Sequence, residues 1–217
     1  MVRSKVTIII SLLIFGVCMS LFFPFPNNEI MDARTIFMSF PIRNYNGYII
    51  WGIIGSFLFL VAMILLVIGL NKYRLRAVFI MVIVYSLLPT FLTTMYQETL
   101  ASGVKAISYD GNGNCTFQEI NDNKINGECN LVLYNRSNEA VTFELEFLDS
   151  YYWGDEARTE SIMNLAGPYR ISIEANQKKS INLKELLDLS DVSNHIISGT
   201  SNNIHLKLRD EEIERKL

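Results

Sequence analysis

The stretch CTFQEINDNKINGEC, residues 115–129, reads as two short alternating runs around a polar centre, with a cysteine at each end. Asn121, Asp122 and Asn123 are residues that tolerate left-handed turn geometry, so a β-hairpin centred on Asp122 is expected. Antiparallel pairing about that centre sets Cys115 directly opposite Cys129. Side chains alternate with period two, so Cys115 and Phe117 share a face with Ile125, Cys129, Leu131 and Leu133. The two thiols thus meet on the apolar face at bonding distance in a non-hydrogen-bonded pair, and a disulfide between Cys115 and Cys129 is expected. Closing a loop of about 15 residues would contribute about 3 kcal/mol. The spacing is not C-x-x-C, which argues against a redox-active pair. A zinc site would need two more ligands, and His195 and His205 are the only histidines.

Two thiols close only on the oxidising side of a membrane, so the upstream sequence decides the matter. Residues 6–23 (VTIIISLLIFGVCMSLFF), 48–70 (YIIWGIIGSFLFLVAMILLVIGL) and 77–95 (AVFIMVIVYSLLPTFLTTM) contain no Asp, Glu, Lys, Arg or His. A bilayer core of about 30 Å takes about 20 apolar residues as helix, so each run predicts a transmembrane helix, the third reaching about residue 96. Tyr48 and Trp51 suit an aromatic belt, Pro89 predicts a kink, and Cys18 reads as a small apolar residue in mid-membrane. Arg3 and Lys5 before the first run also fit a signal peptide. The PFPNN that follows has no small-x-small cleavage site, and Val17 before Cys18 spoils a lipoprotein site, so an uncleaved span is expected.

Direction follows from Lys and Arg in the short connections. Arg3 and Lys5 precede the first run, Lys72, Arg74 and Arg76 lie in the turn 71–76, and neither place holds an acid. In the outer loop 24–47, Glu29, Asp32, Arg34 and Arg43 cancel. The N-terminus and the 71–76 turn are therefore expected in the cytoplasm, and residues 101–217 outside the cell membrane. The whole chain carries a net charge of −3. Residues 1–100 account for about +4 of this and the remainder for about −7. A domain this acidic, with no cluster of Lys and Arg, is not a nucleic-acid binder.

Alternation continues beyond the hairpin. Val141, Phe143, Leu145 and Phe147 fall on one face of 140–149, with Thr142, Glu144 and Glu146 on the other, as in a half-buried strand. A second hairpin centred near Ser137 would pair Leu133 with Val141 and Leu131 with Phe143. Tyr169, Ile171 and Ile173 repeat the theme, Ile181 and Leu183 add to it, and LKELLDLS (183–190) suggests one or two turns of helix. Ile204, Leu206 and Leu208 close the series. Six to eight short strands between polar turns predict an all-β, antiparallel, immunoglobulin-like sandwich after a three-helix membrane region. The tryptophan and the inter-sheet bridge of true immunoglobulin domains are missing.

Chemistry is sparse. The histidines have no motif partner for a nucleophile, GNGN (111–114) precedes a strand and so reads as a turn, and the paired acids read as solvated faces. No cofactor and no catalysis are expected. The spans hold no intramembrane charge to mark a transport route. In the connection 150–167, Tyr151, Tyr152 and Trp153 are consecutive, so period two cannot bury all three, and they are the candidate partner contact. The plainer reading is that one or two of them plug the end of the sandwich or rest on lipid headgroups.

Gly16 and Ser20, and Gly52 and Ser56, are spaced four apart near the outer ends of spans one and two, and a close helix contact is expected there. Ile30, Ala33, Phe37 and Phe40 have helical spacing, so 24–47 is either an interfacial helix or an irregular loop. Asn114 and Asn135 begin glycosylation sequons that matter only in a eukaryotic host. The expected role is display of a β-sandwich for contact with lipid and with another membrane or envelope protein. The alternative is an accessory or regulatory subunit of a larger transporter or signalling complex.

Overall fold

A computed structural model describes residues 3–28, 30, 33–44, 47–121, 123–149, 157–211 and 213–217. The chain divides into two compact units, Met1–Thr94 and Met95–Leu217.

The first unit is built on helices α1 (Lys5–Leu21), α2 (Ile50–Gly69) and α3 (Arg74–Thr99), the last running on into the second unit. Ser4 caps α1 by accepting from the Thr7 amide at 3.3 Å. With 20 and 26 residues, α2 and α3 are long and apolar enough to cross a membrane. Helix α1, the first of the three expected spans, is a shorter apolar helix of 17 residues, about 26 Å long. Helices α1 and α2 run antiparallel, because Ile8 lies against Gly69, the Ser11 hydroxyl donates to the Ala62 carbonyl at 2.7 Å, and Cys18 lies by the Gly55 carbonyl.

Among the described residues between α1 and α2 there is no helix, and the part of this segment from Thr35 onward is not an irregular loop. It forms a three-stranded antiparallel sheet of β1 (Thr35–Phe37), β2 (Phe40–Asn44) and β3 (Gly47–Tyr48). The helical spacing of Phe37 and Phe40 fails because Met38 takes φ 54° and Pro41 cannot continue a helix. Phe40 is fully buried and Pro41 is buried beside it. Any side chain at Gly52 would strike the Pro41 carbonyl, and one at Gly55 would lie 2.6 Å from the Phe40 ring. The glycines of α2 thus admit the sheet. Phe40, Phe59, Phe15 and Tyr85 then stack, with Phe59 edge-on to Phe15 at 5.4 Å and to Tyr85 at 4.8 Å.

The second unit is largely β, in two antiparallel sheets with a sandwich-like arrangement. In the first, β6 (Lys124–Asn135) is central. It pairs with β5 (Asn114–Asn121) and β4 (Ile107–Tyr109), while β10 (Gly199–Asn202) extends β5. Strand β9 (Lys178–Asp188) also pairs with β6, from Lys124↔Asp188 to Tyr134↔Lys178. The second sheet runs β12 (Glu214–Lys216), β11 (His205–Arg209), β7 (Val141–Leu148), β8 (Tyr169–Ile173).

The hairpin forms as the alternation predicted: Cys115 pairs with Cys129 and Glu119 with Ile125. The Cys115–Cys129 disulfide has a Cα–Cα distance of 4.1 Å and lies wholly inside the core. Phe117, Ile125, Leu131 and Leu133 face Val141, Phe143, Leu145, Phe147, Ile171, Ile173, Leu206 and Leu208 in one apolar cluster.

Two expectations about strands are overturned. The second hairpin does not exist, because β6 and β7 lie in different sheets. Asn135 turns the chain from one sheet to the other. Fully buried, its Nδ2 donates to the carbonyls of Glu139 (2.7 Å), Ile173 (3.1 Å) and Glu174 (3.1 Å), and its Oδ1 accepts from the Ser137 amide and hydroxyl. The apolar faces of β6 and β7 meet across the core, an arrangement that period two allows equally well. Residues 183–190 are no helix either. Leu183 and Leu187 share the inward face of β9 with Ile181, and pairing with β6 overrides the helix propensity of LKELL.

At the start of this unit Gln97 donates to the carbonyls of Lys105 and Ile107, both at 3.0 Å, and Arg215 of β12 donates to those of Val104, Lys105 and Ile107. Burial presses the Arg215 guanidinium down to about 10.

Burial pushes Tyr109 and Tyr169 each up to about 12, for Tyr109 against the lowering effect of the Gly113 amide that donates to its hydroxyl. Phenols raised above their unfolded value of about 10 lend stability that is complete below pH 10 and lost as pH climbs towards 12. An absorbance titration of phenolate is expected to show a late step near pH 12 coincident with loss of β circular dichroism, and Tyr109→Phe with Tyr169→Phe to delay that loss to higher pH. Replacing Cys115 and Cys129 together by Ala is expected to lower the unfolding free energy by about 3 kcal/mol, measured by urea titration in mild detergent.

Candidate interaction site

The loop that carries the aromatic triplet leaves β7 at Leu148 and re-enters the fold at Thr159. Tyr151, Tyr152 and Trp153 themselves lie outside the described residues. The base of their loop is described, and one carboxylate organises it. Asp149 accepts from the Thr159 amide (2.8 Å) and hydroxyl (3.1 Å) and from the Ser161 amide (2.9 Å) and hydroxyl (2.7 Å). It therefore caps the short 3₁₀ turn Glu160–Leu165 from outside the turn, satisfying amides that have no partner within it.

A second acid completes the base. Glu160 is fully buried, and its carboxylate accepts from the hydroxyls of Thr159 and of Ser201 on β10. Asn164 faces the backbone of Phe147 like a missing strand neighbour, accepting from its amide and donating to its carbonyl, both at 2.8 Å. Tyr169 donates to the Met163 carbonyl at 2.8 Å. On the far side, Arg158 donates from its amide to the Asn194 carbonyl at 2.7 Å and accepts from the Ile196 amide at 3.1 Å. The loop thus springs from a base tied to both sheets and to the 189–199 connection.

Chemically this base is a clamp. Asp149 already accepts from hydroxyls and amides of Thr159 and Ser161, and Glu160 from the hydroxyls of Thr159 and of Ser201 on β10. Among the described residues no group of three or more His, Cys, Asp and Glu could hold a metal ion. His195 contacts the Val192 carbonyl through Nδ1 at 2.9 Å, and His205 stands half-buried on β11. The clamp residues Asp149, Thr159, Glu160, Ser161 and Ser201 escaped the sequence reading, since they meet only after folding.

The small-residue pairs of the helices part company. Gly16 and Ser20 are exposed, and a side chain at Gly16 would meet nothing within 4 Å. Ser20 bonds to the Val17 carbonyl at 2.8 Å, and Ser56 to that of Gly52 at 2.7 Å, each within its own helix. Gly52 backs onto Pro41 and not onto α1. Helices α1 and α2 do touch, but through Ile8, Ser11 and Cys18 against Gly69, Ala62 and Gly55. Of the two sequon asparagines, Asn114 is half-buried on β5 and Asn135 is the buried corner.

Comparison with protein-family models, with curated proteins and with solved structures yields no match to this chain.

Replacing Asp149 by Asn removes the charge and turns one acceptor into a donor. Stability is expected to fall by about 2 kcal/mol. Limited proteolysis between residues 150 and 157 is expected to quicken by about tenfold while cleavage elsewhere is unchanged.

Proposed function

We propose that this chain is a non-enzymatic, multi-pass cell-membrane protein that displays an immunoglobulin-like β-sandwich on the extracytoplasmic side for contact with another membrane or envelope protein. What carries the reading is the apolar surface of the helices. Phe57, Leu75 and Phe79 are 65%, 83% and 73% exposed, and Ile64, Leu87 and Phe91 are exposed beside them on α2 and α3. A soluble protein does not leave so many large apolar side chains of two long helices in water, whereas lipid solvates them. A 17-residue α1 joins the bilayer in this reading with its end residues at the interface, as a short hydrophobic stretch does by local thinning. The disulfide supports an oxidising location for the second unit, and the Lys and Arg of the N-terminus and the 71–76 turn support a cytoplasmic location for those ends.

Within this reading the clamped loop is the contact surface. Tyr151, Tyr152 and Trp153 are residue types that dominate binding when a rigid scaffold presents them, and Asp149 and Glu160 supply the rigid base.

One observation favours a second reading, an accessory or regulatory subunit of a larger membrane complex. Gly16 and Ser20 face away from α2, and small residues on an outward helix face let a further helix approach closely.

A membrane-impermeant thiol reagent is expected to label Asn202→Cys, on the exposed end of β10, in intact cells; labelling only after lysis would overturn the topology. Replacing Tyr151, Tyr152 and Trp153 together by Ala is expected to weaken partner co-purification at least tenfold. Gly16→Ile meets nothing inside the chain, so loss of co-purification by that variant, with the aromatic variant unaffected, selects the second reading.

A further inference from the structure

We propose that Arg3, Lys5, Lys72, Arg74 and Arg76 form one binding site for the phosphates of anionic phospholipid headgroups, an inference that rests on the membrane reading above. In sequence these residues belong to two segments more than sixty positions apart. The fold unites them. The amides of Arg3 and Ser4 both donate to the Gly69 carbonyl, at 2.8 and 3.2 Å, so the N-terminal segment is fastened to the last residue of α2, immediately before the basic turn. All five side-chain-bearing residues are exposed.

Three features of this end of the helices suit an anion. Negative potential at the end of α2 is quenched, because Arg3 and Ser4 take the Gly69 carbonyl and Arg74 Nε takes that of Leu70 at 2.7 Å. Helices α1 and α3 both begin here, at Lys5 and Arg74, and present the positive ends of their dipoles. No Asp or Glu occurs in residues 1–28 or 47–97, so the chain's own sequence offers no neutralising carboxylate in these helices or in the turn. Arg76 lies over the Tyr73 ring at 5.2 Å, which holds that guanidinium beside the turn. Five cations brought together without an acid repel one another until a counter-anion joins them. Anionic headgroups, at the depth where apolar helix gives way to charge, supply it.

The test uses the full chain, purified and reconstituted into bilayers of phosphatidylcholine alone or mixed with phosphatidylglycerol, then released gently for native mass spectrometry of retained lipid. Phosphatidylglycerol is expected to be retained in preference to phosphatidylcholine, less so as salt rises. The preference should fall by up to about fivefold for each charge removed, in Arg3→Gln/Lys5→Gln and in Lys72→Gln/Arg74→Gln/Arg76→Gln alike. Arg74→Lys/Arg76→Lys should keep most of the preference, and Arg43→Gln, in the β2 strand, should keep all of it. Failure to enter either bilayer would overturn the membrane reading itself. Entry without preference, or a preference that Arg43→Gln reduces as much as the cluster variants do, would overturn the headgroup site alone. Displacement of lipid by inorganic phosphate, but not by chloride of equal ionic strength, would overturn it in favour of a site for free phosphate.

Discussion

The register of β5 against β6 is the constraint from which the second unit is built. Cys115 opposite Cys129 sets Phe117 on the same inward face as Ile125, Leu131 and Leu133, and a slip of β5 by one residue would send Cys115 and Phe117 out. Strand β6 passes the same register on, because β9 pairs with it along eleven residues, from Lys124 to Tyr134, on its opposite edge. The bond between Cys115 and Cys129 pins the pairing at its most buried rung. Asn135 then ends the strand and hands the chain to the opposing sheet. Hydrophobic alternation chooses which side chains go inside; the disulfide and the buried amide choose which strands become neighbours.

In the first unit the equivalent choice is made by missing side chains. Gly52 and Gly55 leave α2 with a bare strip, and Phe40 and Pro41 of a small sheet occupy it. The aromatic cluster of Phe15, Phe40, Phe59 and Tyr85 follows from that insertion. Small residues at these positions look from the sequence like a surface for helix contact, and Gly52 does let a backbone come close. That backbone belongs to β2 and not to α1.

Much of the architecture was legible because it rests on local patterns. The long apolar helices, the alternating strands and the hairpin with its disulfide need only near neighbours in sequence to be recognised. Sheet membership was not legible for β7, since the same alternation serves a hairpin partner and a strand facing across the core. The strand at 183–190 was misread because its propensity is helical and its pairing partner lies more than fifty residues away. The loop base was invisible for a related reason: Asp149 and Ser201 find Thr159, Ser161 and Glu160 only through the fold, and no spacing announces them. The aromatic triplet of Tyr151, Tyr152 and Trp153 could be read from three adjacent rings in the sequence alone.

The corner at Asn135 bears on how the protein can be produced. Its Nδ2 is the atom to which an oligosaccharide would be attached, and two of its three carbonyl partners belong to Ile173 and Glu174, almost forty residues downstream. In a eukaryotic secretory pathway the transferase meets the NRS sequon while those partners are still being synthesised. A sugar added there would fill the space of the corner and keep the two sheets from closing. Production in bacteria, or in a secretory host with Ser137 replaced by Ala to erase the acceptor signal, avoids that trap.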